Sequence, residues 1–207
     1  MTPIREAITG VVLAGGRARR MGGQDKGLLA FRGRPLVSYA LDALASVAGQ
    51  VVINANRHLD AYREWGYPVV QDLTNHFDGP LAGLLRAMRF ASTPYVLTIP
   101  CDAPLMTGDL LGRLCASLQA EGAELCAAHD GERLHPVFLL ADCRLADDLQ
   151  LYLASGERKV ETWLSRHRLA LADYSDRPGV FANINTLEEL AALEAYISTR
   201  AVMPDKP

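Results

Sequence analysis

Apolar residues recur along this chain with two periods, and their alternation predicts strand after helix over most of its length. Val11, Val12 and Leu13 form a short run of buried-strand type, closed by Ala14-Gly15-Gly16, where side-chain bulk disappears and the chain can turn. Pro35 then opens a helix whose apolar positions are Leu36, Tyr39, Ala40, Leu44 and Val47. Val51-Val52-Ile53 predicts a second strand with Asn54 at its C-terminal end. A short helix around Leu59 to Trp65 stops at Gly66, and Pro68 to Gln71 is a brief third strand that delivers Asp72 into a loop. Gly79-Pro80 starts a helix with Leu81, Leu84, Leu85 and Met88 inward. Tyr95 to Ile99 is the clearest strand, and it runs directly into Pro100-Cys101-Asp102-Ala103-Pro104. Thr107 is placed to cap a helix carrying Leu110, Leu111, Leu114 and Leu118 inward, closed by Gly122.

Beyond Gly122 the simple alternation ends. A strand over Glu124 to Ala128, the turn pair Asp130-Gly131 and a strand over Pro136 to Leu140 predict an antiparallel pair. Leu145 to Leu153 reads as a helix, Ser155 to Lys159 as a charged loop, Val160 to Ser165 as a short helix and Leu169 to Ala172 as a strand. Thr186 and Glu189 form a capping box for a last helix carrying Leu187, Leu190, Leu193 and Ile197, with fraying expected from Ala201. The expected architecture is a three-layer α/β domain over residues 1–200, followed by a flexible tail, 201–207. Its sheet is mostly parallel, with helices on both faces and an antiparallel part in the C-terminal half. Such sheets bind ligands at the C-terminal ends of their strands. The glycine turn, Asn54, Asp72 and Asp102 all fall at such ends although dozens of residues separate them.

Composition narrows the chemistry. With 207 residues, 49% of them hydrophobic, the chain can build one substantial core. A net charge of −3 gives no general attraction to nucleic acid or to an acidic membrane. Against that background, the segment from Arg17 to Arg34 holds Arg17, Arg19, Arg20, Lys26, Arg32 and Arg34 against Asp25 alone. A glycine turn that exposes backbone amides beside clustered cations suits a small polyphosphate. A solvated loop with surface arginines would look similar. The Walker spacing fails because Gly23 stands where lysine is needed, and the dinucleotide fingerprint fails because Gly15 and Gly16 are adjacent. The four cysteines form no CxxC pair and the N-terminus lacks a secretory apolar core, so a reducing cytoplasmic setting is expected. No apolar run reaches the roughly 20 residues of a membrane span, and the five histidines show no tight metal-ligand spacing.

Magnesium needs only one or two protein carboxylates when substrate phosphates and waters complete its shell, so Asp102 is the candidate ligand. The alternative is that Asp102, like Asp72, only stabilises a turn. Lys26 can reach back to a phosphate as a point charge, while the arginines offer forked donors. No nucleophile elbow and no Cys/His pairing pattern points to a covalent intermediate.

LAGGRARRMGGQDKGL (13–28), DGPLAGL (78–84), IPCDAPL (99–105), RLHPVFL (133–139) and FANINTLEEL (181–190) together resemble the molybdenum cofactor guanylyltransferases, over about residues 8–190. The resemblance implies a Rossmann-like nucleotidyltransferase fold that takes GTP and molybdenum-loaded molybdopterin, releases pyrophosphate and requires magnesium, or manganese in its place. It assigns GTP to Leu13, Ala14, Gly15, Gly16, Lys26, Asn54, Asp72, Gly79 and Asp102, with Asp102 also on the metal. It places Arg20 on the triphosphate and gives catalytic roles to Lys26, Asp102 and Arg20. His135, Arg158, Lys159, Asn183 and Asn185 are the candidates for receiving the pterin. Molybdoenzymes or their chaperones are the implied recipients of the product, and the expected state is a monomer or weak homo-oligomer. The readings that stay open are CMP transfer to molybdopterin, a sugar-phosphate nucleotidyltransferase of the same fold, and a non-enzymatic nucleotide sensor or cofactor-delivery protein.

Overall fold

The computed structural model describes residues 5–16, 24–73 and 79–202. Its centre is β1 (Ile8–Leu13), whose Ile8, Val11 and Val12 are buried on both faces of the sheet. Such a strand can be apolar throughout only when layers cover it on each side. α1 (Leu36–Val47) supplies one cover and approaches so closely that a Cβ on Gly10 would stand 3.0 Å from the Leu44 Cβ. Between the two lies a small hairpin, β2 (Ala30–Phe31) and β3 (Arg34–Pro35), turned by Arg32 and Gly33, both at positive φ (49° and 78°). Two positive φ values in succession are what a tight two-residue hairpin turn demands.

β4 (Gln50–Asn54), the short helix α2 (Leu59–Arg63) and β5 (Val69–Val70) follow. Then come α3 (Pro80–Phe90), β6 (Tyr95–Pro100) and α4 (Gly108–Glu121). The C-terminal half contributes β7 (Leu125–His129), β8 (Leu134–Asp142), α5 (Ala146–Ala154), α6 (Val160–Leu164), β9 (Leu169–Asp173) and α7 (Leu187–Val202). Among the described residues the main sheet has seven strands in the order β5-β4-β1-β6-β8-β7-β9. β8 alone runs antiparallel, to both β6 and β7. One face is packed by apolar residues of α1, α2 and α4, the other by those of α3, α5 and α6. The predicted α/β class, with its mostly parallel sheet and antiparallel C-terminal part, is the observed architecture.

Two local readings are corrected. Thr107 does sit at the start of α4, but its hydroxyl donates to the Asp109 carboxylate and caps no backbone N–H. Asp109, one residue into the helix, offers the hydroxyl a charged acceptor that competes with capping. Leu187 is exposed, whereas Leu190, Leu193 and Ile197 pack against Phe31, Leu36 and Ile184. That small cluster is reached only from the second turn of α7. The start of α7 keeps one half of the capping box as read, Thr186 Oγ1 accepting from Glu189 N–H at 3.1 Å, while the Glu189 carboxylate reaches one residue further back, to the Asn185 N–H at 2.6 Å. The tail beyond Val202 lies outside the described residues.

Candidate active site

Three neighbouring strands end together and open a cavity of about 500 Å³. Leu13 at the end of β1 is tied sideways to both neighbours. Its carbonyl accepts from Cys101 N–H at 3.2 Å, and the N–H of Ala14 donates to the Asn54 carbonyl at 2.8 Å. The chain leaves the sheet as Gly15-Gly16, and every nucleotide candidate among the described residues lines the cavity: Leu13, Ala14, Gly15, Gly16, Lys26, Asn54, Asp72, Gly79 and Asp102. Asn183 and Asn185, read as acceptor residues, line it as well. One pocket thus collects residues separated by up to 172 positions, which only the parallel β1, β4 and β6 and the return of the chain after β9 can arrange.

Lys26 is the electrostatic hub. Asp25 caps the 3-10 turn over Lys26–Leu28 by accepting from Gly27 N–H, and its same oxygen accepts from the buried Tyr62 hydroxyl at 2.5 Å. Burial first, and then the charge and hydrogen bond of Asp25, hold the Tyr62 phenol far above its ordinary range, so it stays a donor. From that fixed base the Lys26 ammonium donates to Asp102 Oδ2 at 3.0 Å and to Asn185 Oδ1 at 2.8 Å. The ion pair is mostly buried on both sides. Pairs of this kind roughly balance desolvation against attraction, so an incoming anion can share the ammonium at small cost. Ile184 N–H donates to the Asp102 carbonyl at 3.1 Å, which brings the Asn183–Asn185 segment down onto the same corner.

A second polar group faces it across the cavity. Asn54 Nδ2 donates to Asp72 Oδ1 at 2.9 Å and to the Val70 carbonyl at 3.3 Å. α3 begins at Gly79, which adopts φ 79°, with Pro80 in its first turn. Gly83 lets α3 seat on the strand ends, because a Cβ there would stand 2.4 Å from Asn54 Oδ1 and 2.8 Å from Leu13 Cδ2. Cys101 also lines the cavity, but burial and the neighbouring Asp102 and Asp25 push its thiol well above the usual range. It therefore stays a thiol and offers no thiolate nucleophile.

Sequence reasoning missed Asp25, Pro80, Pro100, Cys101 and Val137 as lining residues, and Asn56, which grips Asp72. Only Asp25 carried a local signal, as a cap ahead of Lys26-Gly27. Three acceptor candidates do not line the cavity. His135 is buried, with Nε2 2.6 Å from Asp130 Oδ2 and its ring stacked on Phe181 at 3.9 Å. Arg158 donates to the Leu153 and Glu157 carbonyls, and the Lys159 carbonyl accepts from Tyr152 Oη. Arg20, with residues 17–23, lies outside the described residues.

Among the described residues no cluster of three or more His, Cys, Asp or Glu side chains is arranged for a metal. The donor set nevertheless fits magnesium. The Asp102 carboxylate and the Asn185 amide oxygen already face one cation, the Lys26 ammonium, and both are hard oxygen donors. One carboxylate with phosphate oxygens and water is an ordinary magnesium arrangement.

A glycine turn at the end of the central strand, a lysine and a carboxylate at the next strand end define a nucleotide-handling α/β transferase. The MobA-like NTP transferase domain matches residues 10–172, and the chain belongs to that family. Within it, the chain is 48% identical over 196 residues to the molybdenum cofactor guanylyltransferase of Cupriavidus pinatubonensis, covering 92% of this chain and 98% of that one. It is 42% identical over 191 residues to the protein of the same name from Shewanella sediminis, covering 92% and 97%. The fold is shared with the molybdopterin-guanine dinucleotide biosynthesis protein A of Archaeoglobus fulgidus, at a TM-score of 0.76 and 22% identity over 92% of this chain and 99% of that one.

Proposed function

We propose that this protein is a molybdenum cofactor guanylyltransferase, transferring GMP from GTP to the terminal phosphate of molybdenum-loaded molybdopterin. The observation that carries the reading is the Lys26–Asp102–Asn185 corner. It joins the glycine-loop side of the cavity to the segment after β9, in a chain 48% identical to a guanylyltransferase over nearly its whole length. A phosphate oxygen of the acceptor attacks the α-phosphorus of GTP, and the bond from that phosphorus to the α,β-bridging oxygen breaks. Pyrophosphate leaves with that oxygen. The work is alignment and charge stabilisation. Backbone N–H groups of the Gly15-Gly16 turn and the Lys26 ammonium hold the triphosphate. Asn54 and Asp72 hold the nucleoside end, and Asn183 and Asn185 face the acceptor. Asp102 would hold magnesium together with phosphate oxygens, and the ion would supply positive charge against that of the leaving pyrophosphate. Arg20 is assigned to the triphosphate, and Arg158 and Lys159 to the anionic end of the pterin. His135 is assigned to the acceptor side with Arg158 and Lys159, its Nε2 and one ring face being engaged by Asp130 and Phe181.

The product would pass to molybdoenzymes or their chaperones, a handover checked by pull-down from molybdate-replete cells. Nucleotide choice is tested by thermal unfolding with magnesium and GTP, CTP, ATP or UTP in turn, since a ligand bound only by the native state raises the midpoint. GTP is expected to give the largest rise. A larger rise with CTP would contradict the guanylyl assignment.

A further inference from the structure

We infer that Asn56, just beyond the end of β4, is a positioning residue that holds the Asp72 carboxylate and the Gly15 turn in one fixed arrangement for the nucleotide. The inference rests on the reading of Asp72 as a nucleotide contact. Both ends of the Asn56 amide are used on one partner. Nδ2 donates to Asp72 Oδ2 at 2.7 Å, and Oδ1 accepts from Asp72 backbone N–H at 2.9 Å. Such a two-way pairing fixes which end of the amide is which, because the flipped amide would set oxygen against carboxylate and N–H against N–H. Asn54 Nδ2 meanwhile donates to Asp72 Oδ1 at 2.9 Å. Each carboxylate oxygen is thus oriented by one amide and keeps lone-pair capacity for a ligand in the cavity that Asp72 lines.

The other flank of Asn56 lies against the glycine turn. A Cβ on Gly15 would stand 2.9 Å from Asn56 Nδ2, and the next residue, Arg57, donates from Nη2 to the Gly16 carbonyl at 3.0 Å. Residues 54–57 therefore grip both walls of the nucleotide half. Asn56 itself is not among the residues lining the cavity, so it acts through Asp72 and Gly15.

The near-isosteric Asn56→Asp is the decisive variant, because it sets a second carboxylate against Asp72 Oδ2. Two carboxylates at that separation repel each other when both are ionised, and the repulsion is relieved when one takes up a proton as pH falls. GTP binding, measured by calorimetry with magnesium, is expected to be about tenfold or more weaker than wild type near pH 8. The deficit should close as pH falls toward about 5.5 and the pair gains its proton. Arg57 on the glycine turn and Asp25, Lys26 and Asp102 in the cavity are common to both proteins, as is GTP's own titration, so the ratio to wild type isolates the new pair. Asn56→Ser, which adds no charge, should raise the KM for GTP about tenfold and leave kcat and the acceptor KM near wild type. Wild-type GTP affinity in Asn56→Asp, a deficit independent of pH, or equal rises in both KM values for Asn56→Ser would overturn the inference. Asp72→Ala separates the two levels. If it binds GTP like wild type, the nucleotide reading of Asp72 fails. If it weakens GTP while the Asn56 variants do not, the positioning role alone fails.

Discussion

At the scale of single residues, Asp102 carries the heaviest expectation, since it meets Lys26 directly and its backbone carbonyl holds Ile184. Charge on the leaving pyrophosphate grows toward the transition state, so Asp102→Asn should lower kcat by about a hundredfold or more with a much smaller change in GTP affinity. Single-turnover rates beside calorimetric titration measure the two separately, and near-normal turnover would contradict the metal role. Asp130, outside the cavity lining, gives a pH prediction. Backbone N–H bonds, led by that of Arg133, and the His135 side chain hold its carboxyl well below the ordinary carboxylate range. Its contribution to stability is therefore fully present above the unfolded value of about 4 and is lost as pH falls through the depressed native value. Urea midpoints should show Asp130→Asn less stable than wild type near neutrality, with the gap shrinking in acid. An unchanged gap would remove the Asp130–His135 contact from the account. Asp102, Lys26, Asn54 and Asp72 were legible in the sequence because each stands just outside an apolar strand or a glycine turn. Asn56 was not, nor were the contacts of His135, although His135 itself was named as a pterin candidate. Their partners, Asp72 and Phe181, lie 16 and 46 positions away and are fixed by strand ends that no local pattern locates.

At the scale of elements, the positions of the helices are set by contacts at glycine that periodicity does not reveal. Gly83 in α3 looks like a weak point in a helix, where glycine costs about 1 kcal/mol against alanine. In place, it is the only residue type that lets α3 rest on Asn54 and Leu13 without collision. Gly83→Ala is expected to improve helix propensity yet weaken GTP binding by about tenfold or more, because Asn54 must leave its bond to Asp72. Unchanged affinity would show that α3 shifts freely. Apolar periodicity did predict α1, α3, α4 and α5 to within a few residues, since each buries one continuous stripe. It misplaced Leu187, because the first turn of α7 projects past the cluster that its later turns cover.

At the scale of the whole molecule, a parallel sheet with one reversed strand divides the labour. β5, β4, β1 and β6 present at their C-terminal ends the half of the cavity proposed for the nucleotide. β8 returns antiparallel beside β6 and contributes Val137, and the chain after β9 closes the cavity with Asn183 and Asn185. Strand and helix alternation made the class of this fold readable. The order β5-β4-β1-β6-β8-β7-β9 was not readable, because insertion of β8 between β6 and β7 depends on pairing between residues such as Tyr95 and Asp142 that are far apart along the chain. Among the described residues no helix is long and apolar enough to cross a membrane. The central claim, that the cavity joins GMP to a pterin phosphate, is tested most directly by incubating the protein with magnesium, GTP and molybdenum-loaded molybdopterin and measuring pyrophosphate with the guanine dinucleotide formed. Equal amounts of the two products, dependent on both substrates and absent with CTP, are the predicted result. Pyrophosphate release without the pterin, or dinucleotide formed from CTP in preference to GTP, would contradict it.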